Sequence, residues 1–166
     1  EDIEKIMKGD IYLLGVNSLN HLPPKWNFDY LNGFSWNKQF FASININQIK
    51  YNQKKDKKIP WEISRMQYLV PLCYYFMDSK ELKIKEIVIN TIDNWVGENQ
   101  PYYGINWSNS MEVSIRAINI IFCLIILGNE VSVRLKRKYR KALLYHLMYI
   151  KSNPEIDYKR FKSKIK

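Results

Sequence analysis

From Ile59 onward, apolar residues recur at three- and four-residue intervals, the period of an α-helix with one buried face. Ile63, Met66, Leu69, Val70, Cys73 and Met77 carry that spacing through a first helix. Pro60 suits its first turn, where no backbone N–H is needed. Pro71 lies inside the same run and should kink it or start a new segment. Asp78 and Ser79 supply a turn. A second helix is predicted from Glu81 to Val96, with Leu82, Ile84, Ile87, Val88, Ile92 and Trp95 apolar and Gly97 ending it. A third runs from Ser110 to Leu127 and stops at Gly128 and Asn129. A fourth runs from Glu130 to Lys151, with Val133, Leu135, Tyr139, Ala142, Leu143, Leu147 and Ile150 apolar and Pro154 beyond it. Helices joined by short turns pack antiparallel, so the pattern predicts an all-α fold of α/α hairpins.

Residues 1–58 read differently. Asp2 to Met7 fits a short helix stopped by Gly9, and Ile11 to Leu14 is a small apolar patch before Gly15. Between Asn17 and Tyr51 no period persists. Pro23 and Pro24 break the chain, and Trp26, Phe28, Tyr30, Phe34, Trp36, Phe40 and Phe41 are scattered among polar residues. The expectation is an irregular, aromatic-rich lead-in packed by its rings onto the helices, with one short extended stretch from Ser43 to Ile46. So long a run without periodicity points to a wrapping or functional role. Residues 59–166 hold the helical hairpins, and the whole reads as one domain.

Composition narrows the partners. With 166 residues, 46% hydrophobic and 14% aromatic, the chain can bury a core and is not a disordered segment. A net charge of +10 favours acidic partners: nucleic acid, anionic membrane or acidic polysaccharide. The runs K-K-D-K-K around Lys54 and R-L-K-R-K-Y-R-K around Lys136 read first as solvated faces. Cys73 and Cys123 each lie in an apolar helical pattern and read as buried free thiols. No disulfide framework, spaced metal-ligand cluster or Gly-rich phosphate loop is visible, so neither a metal nor a cofactor is expected. The apolar run from Ile118 to Leu127 is short for a membrane span, and no signal peptide is visible in these residues.

Candidate chemistry gathers between Tyr103 and Ile126. Asn109 can cap the third helix, with Glu112 at the capping-box position. Glu112 and Arg116 lie one turn apart on one face, and the opposite face, with Val113, Ile118, Ile121, Phe122 and Ile125, reads as core. The loop before the helix presents Tyr102, Tyr103, Asn106 and Trp107. Rings and amides at a helix mouth are what a sugar cleft needs. Trp107 either stacks on a pyranose or is a core ring; Asn106 either binds hydroxyls or is a turn residue. Trp61, Glu62 and Arg65 form either a cleft rim, where the Arg fork holds a carboxylate or sulfate, or a surface ion pair beside a buried Trp. Glu112 and Arg116 either form a buried pair that orients the cleft or act as a cap and a surface pair. Glu62 and Glu112 are also a candidate acid–base pair of a glycoside hydrolase. Of the two histidines, His21 and His146, the second lies in an apolar pattern and reads as a packing residue.

Two stretches carry a resemblance. G-I-N-W-S-N-S-M-E-V-S-I-R-A-I-N, from Gly104, and D-K-K-I-P-W-E-I-S-R-M-Q-Y-L-V, from Asp56 to Val70, resemble the N-terminal domain of the heparinase II/III family of polysaccharide lyases. Their order and separation fit that family, most strongly from Asp56 to Ile126. The resemblance implies a partial (α/α) toroid and an acidic, uronic-acid-containing polysaccharide as substrate. It also implies a β-elimination that removes the C5 proton and expels the 4-linked sugar. That chemistry needs a carboxylate neutraliser, a base and an acid. In the family those jobs fall to an Asn or His–Glu group, a Tyr and a His in a later helix and a β-sandwich region. No Asn-Asn-His occurs here, so the catalytic centre is expected in a downstream, β-rich region of the same protein. Trp61, Glu62, Arg65, Tyr103, Asn106, Trp107, Glu112 and Arg116 are then substrate-binding and scaffolding residues. The resemblance further implies a bacterial periplasm or cell envelope. On this reading, Trp107→Ala and Arg65→Ala should weaken sugar binding without unfolding the chain. The alternatives are a non-catalytic carbohydrate-binding or assembly module on the same helices, or a basic helical nucleic-acid binder. The last leaves the Trp-rich loop unexplained.

Overall fold

The computed structural model describes residues 3–16, 19, 21–44 and 55–154. They are mainly helical. The helices are α1 (Ile3–Lys8), α2 (Lys58–Ser64), α3 (Leu69–Ser79), α4 (Leu82–Glu98), α5 (Ser110–Leu127) and α6 (Val133–Ser152). Strands β1 (Phe28–Asp29) and β2 (Phe34–Ser35) pair antiparallel, Phe28 with Ser35 and Asp29 with Phe34. Single 3₁₀ turns lie at Phe41–Ser43, Ile105–Trp107 and Gly128–Glu130. Helix α3 packs on α4 and α5, and α6 packs on α5 and α4.

The first predicted helix is two. Met66 takes the left-handed conformation (φ 59°) and ends α2 five residues before Pro71. Pro71 then falls in the first turn of α3, where its missing N–H costs nothing. Asp78 and Ser79 belong to α3, and the turn is made by Lys80, left-handed at φ 55°. Helix α4 runs through Gly97 to Glu98, and the backbone N–H of Asn99 closes it on Trp95 O.

The lead-in is stitched to the helices by polar contacts. The buried Asp29 carboxylate accepts hydrogen bonds from the backbone N–H groups of Leu31, Asn32 and, at 2.6 Å, Asp56. That ties the hairpin to the start of α2. Trp26 Nε1 donates to Asn94 Oδ1 (2.7 Å), and Gly104 N donates to Gln39 O (2.8 Å). Ser43 belongs to a 3₁₀ turn rather than to the expected extended stretch, whose Asn45 and Ile46 lie outside the described residues.

The largest departure from the pattern is on α5. Its core face is Val113, Arg116, Ile120, Cys123 and Leu127, spaced i, i+3, i+7, i+10 and i+14. Ile118, Ile121 and Ile125, expected inside, are 64%, 43% and 72% exposed, and Phe122 is half-buried against Tyr74. Both faces are apolar enough to be buried. The one that turns inward is the one whose polar residues find partners there, as described below. Helix α6 behaves alike: Tyr139, His146 and Tyr149 point in, while Val133 and Leu147 lie outside. By length and composition the segment Ser110–Glu130 could cross a membrane. Here it lies between α3 and α6 and buries Glu112 and Arg116. Both cysteines are buried and free, as expected.

Candidate functional site

The N-terminus of α5 is capped as its sequence predicts: Asn109 Oδ1 accepts from Glu112 N at 3.1 Å. The second half of the capping box is replaced. The Glu112 carboxylate turns to Arg65, taking Nε at 2.6 Å and Nη2 at 2.9 Å in a bidentate pair. Arg65 Nη1 reaches Glu62 at 2.5 Å. The hydrogen bonds it donates to Glu112, and secondarily the charges of Glu112 and Glu62, hold the Arg65 guanidinium above its ordinary pKa against the opposing effect of burial. Asn119 Nδ2 donates to Arg65 O (2.8 Å), and Trp61 Nε1 to Ile105 O (2.8 Å). The two sequence blocks, far apart along the chain, are therefore locked face to face.

Arg116 has no exposed surface. Its Nε donates to His146 Nε2 (2.9 Å) and its Nη2 to Asn106 O (3.0 Å). The guanidinium sits 4.2 Å from the Trp95 ring centre and 5.5 Å from that of Trp107. Burial lowers its pKa to about 9, partly offset by the charge of Glu112, so it stays cationic at neutral pH. An arginine can only donate, so His146 Nε2 must be an acceptor and Nδ1 must carry the proton it gives to Ala142 O (2.8 Å). Burial first, then the Arg116 charge, pushes the imidazole down to about 3. His146 is thus a neutral structural acceptor.

Asn106 is also fully buried, with Nδ2 donating to Trp26 O (2.9 Å) and Asn99 Oδ1 (3.0 Å). Trp107 is a core ring, packed among Tyr102, His146 and Tyr149 with its ring centre 4.7 Å from that of His146. Tyr103, 38% exposed and edge-on to Phe40, faces solvent. The eight candidate residues divide accordingly. Tyr103 is open, and Trp61, Glu62 and Arg65 are half-buried. Asn106, Trp107, Glu112 and Arg116 lie inside.

Three expectations change. Glu112 and Arg116 are buried but do not bond each other; each binds a different partner. Every nitrogen of the Arg65 fork is held by a carboxylate, as are both Glu62 and Glu112 by that one guanidinium. And Arg65→Ala would strand the Glu112 charge, while Trp107→Ala would empty a core position, so neither variant can leave stability untouched.

Beside Trp107 the surface opens into a cleft of ≈ 290 Å³ between α4 and α6. Trp95, Trp107 and Tyr145 supply rings to its wall, and Lys138 and Lys141 supply cations. Lys138 is held by Asp93 at 2.6 Å. Lys141 is exposed and has no ion-pair partner among the described residues. Arg116 stacks behind the two indoles and so backs the cleft from the inside. Sequence reasoning missed these residues because the lysines sit in a run that reads as solvated. The signal was present: Lys138, Lys141 and Tyr145 are spaced i, i+3, i+7 and share one face of α6. Among the described residues no group of three His, Cys, Asp or Glu side chains could hold a metal. No protein family, curated protein or solved structure matches this chain.

Proposed function

We propose that the chain is the helical, substrate-binding part of a heparinase II/III-like polysaccharide lyase acting on a uronic-acid-containing polysaccharide, its two hairpins forming part of an (α/α) toroid. The observation that carries the reading is the cleft of ≈ 290 Å³ beside Trp107. A sugar ring offers flat C–H faces that pack on aromatic walls, and a uronate adds a carboxylate that needs a cation. Tyr145 with Lys138 and Lys141 combine the two at the mouth of the cleft, above the buried rings of Trp95 and Trp107. The resemblance of the two blocks supports the same reading, since they pair through Arg65–Glu112 and Trp61–Ile105 and back the cleft with Arg116.

In this arrangement Lys141 and Tyr145 touch sugar; Tyr103 is open to solvent but does not line the cleft. Trp61, Glu62, Arg65, Asn106, Trp107, Glu112 and Arg116 are positioning residues. The base, the acid and the carboxylate neutraliser of β-elimination come from a downstream β-rich region, and the setting is a bacterial periplasm or envelope. The test is calorimetric titration of the chain with a polyuronate and with a neutral polysaccharide. Preference for the polyuronate is expected, with about a ten-fold loss in Lys141→Glu at unchanged melting temperature. Equal affinity for both polymers, or a Lys141→Glu variant that binds as before, would contradict it.

A further inference from the structure

We propose that the outer face of the α5–α6 hairpin is a docking surface for an α-helix that carries an apolar ridge flanked by carboxylates. The face lies away from the sugar cleft and does not depend on it. Met111, Ile118, Ile121 and Ile125 recur at i, i+7, i+10 and i+14 along α5, and all are exposed. They form a stripe about 21 Å long at 1.5 Å per residue. On α6, Leu144, Leu147 and Met148 are exposed at i, i+3 and i+4. The two helices run antiparallel over their whole length. The short connection after Leu127 closes one end, and the Ser110 hydroxyl bonded to Asn153 O closes the other. A single exposed isoleucine is ordinary; an aligned row on two neighbouring helices is the groove into which the ridge of a third helix packs.

Charge selects the occupant. The two charged side chains of α5, Glu112 and Arg116, are buried, so its outer face is uncharged. Helix α6 carries Arg134, Lys136, Arg137, Lys138, Arg140, Lys141 and Lys151 and no acidic residue. Among the described residues only Lys138 of these has an acidic partner. Arg137, Arg140 and Lys151 lie at i−7, i−4 and i+7 from Leu144, on the apolar face and away from the cleft lysines Lys138 and Lys141, and carboxylates beside a docked ridge would meet them. A second copy of this chain would set one such basic helix against another, which opposes association. A lipid surface would take an apolar face without helical register, whereas two matched stripes on paired helices are what a third helix requires.

The test is fluorescence anisotropy of a labelled helical peptide of about 18 residues, five turns, with Leu along one face and Glu on both flanks. A twin has Lys in place of Glu. The Glu peptide should bind, and the Lys twin about ten-fold more weakly or not at all. In the double variant Ile118→Glu/Ile125→Glu, binding of the Glu peptide should fall about ten-fold. Both positions are mostly solvent-exposed, so the variant should keep the circular dichroism and melting temperature of the parent. Equal binding of the two peptides, no binding, or binding untouched by the double substitution would overturn the proposal. Self-association in sedimentation that the variant abolishes would assign the face to a second copy and overturn it too. So would flotation with phosphatidylglycerol vesicles without peptide binding.

Discussion

The two faces of α5 invert the usual arrangement. Its inner face holds a carboxylate and a guanidinium, Glu112 and Arg116, at 2% and 0% exposure, while Ile118 and Ile125 on its outer face stand 64% and 72% exposed. Apolarity alone would turn the helix the other way. What fixes it is partner supply. Arg65 offers Glu112 a bidentate fork, and His146, the Asn106 carbonyl and two indoles take up Arg116. Moving either charge outward would leave those groups buried and unmatched, at about 1–3 kcal/mol each. An ionic interior of this kind is weak evidence for stability; it sets registry through the bonds it does make, while Arg116 Nη1, Trp107 Nε1 and Asn106 Oδ1 stay buried with no hydrogen-bond partner among the described residues. Here the registry brings Asp56–Val70 against Gly104–Asn119.

The comparison breaks most sharply at Arg116. Arg116→Ala should cost about 3–5 kcal/mol in denaturant unfolding, since a cavity opens between Trp95 and Trp107 and two acceptors lose their donor. A loss below about 1 kcal/mol would mean that the inner face does not depend on the charge. Arg65→Ala should cost less, about 2–3 kcal/mol, because its side chain is 21% exposed and water takes over part of its role. Adding Glu112→Leu should recover most of that loss; additive losses would show that the two residues are not coupled.

Acid sharpens the same contrast. His146 is held near pKa 3 in the folded chain and returns to about 6.5 when unfolded, so the unfolded chain binds the extra proton between those values. Stability is therefore full above pH 6.5 and falls as pH drops toward 3. Between pH 6 and pH 5 the slope should approach about 1.4 kcal/mol per pH unit. Thermal or urea melts of His146→Gln should lose that slope; a parallel slope in the variant would assign the pH dependence to other groups. The smallest effect belongs to the outer face. Ile125→Ser should change stability by no more than about 0.5 kcal/mol, and a loss of several kcal/mol would show that Ile125 is buried in solution.

Periodicity located the long helices: α5 begins and ends where the pattern places it, and the Asn109 cap is the one expected. It misjudged α2–α3 because a left-handed Met66, not Pro71, makes the break, and side-chain identity does not announce that conformation. It also misjudged the faces of α5, since a count of apolar positions is blind to a guanidinium supplied by another helix. The site was legible in part. The residues that lock the blocks together were named, but several are buried supports rather than contact residues. The cleft lysines were hidden inside a basic run whose helical face shows only once α4 is packed beside α6.

The most direct measurement is the ultraviolet absorbance of the unsaturated uronate, followed while the product of the whole natural gene, whatever its length, is incubated with a panel of uronate polysaccharides. The expected result is a rise on at least one polymer, absent with residues 1–166 alone and reduced by Lys141→Glu. Saturable polymer binding with no rise from the natural gene product would contradict the lyase reading and leave a carbohydrate-binding module in its place.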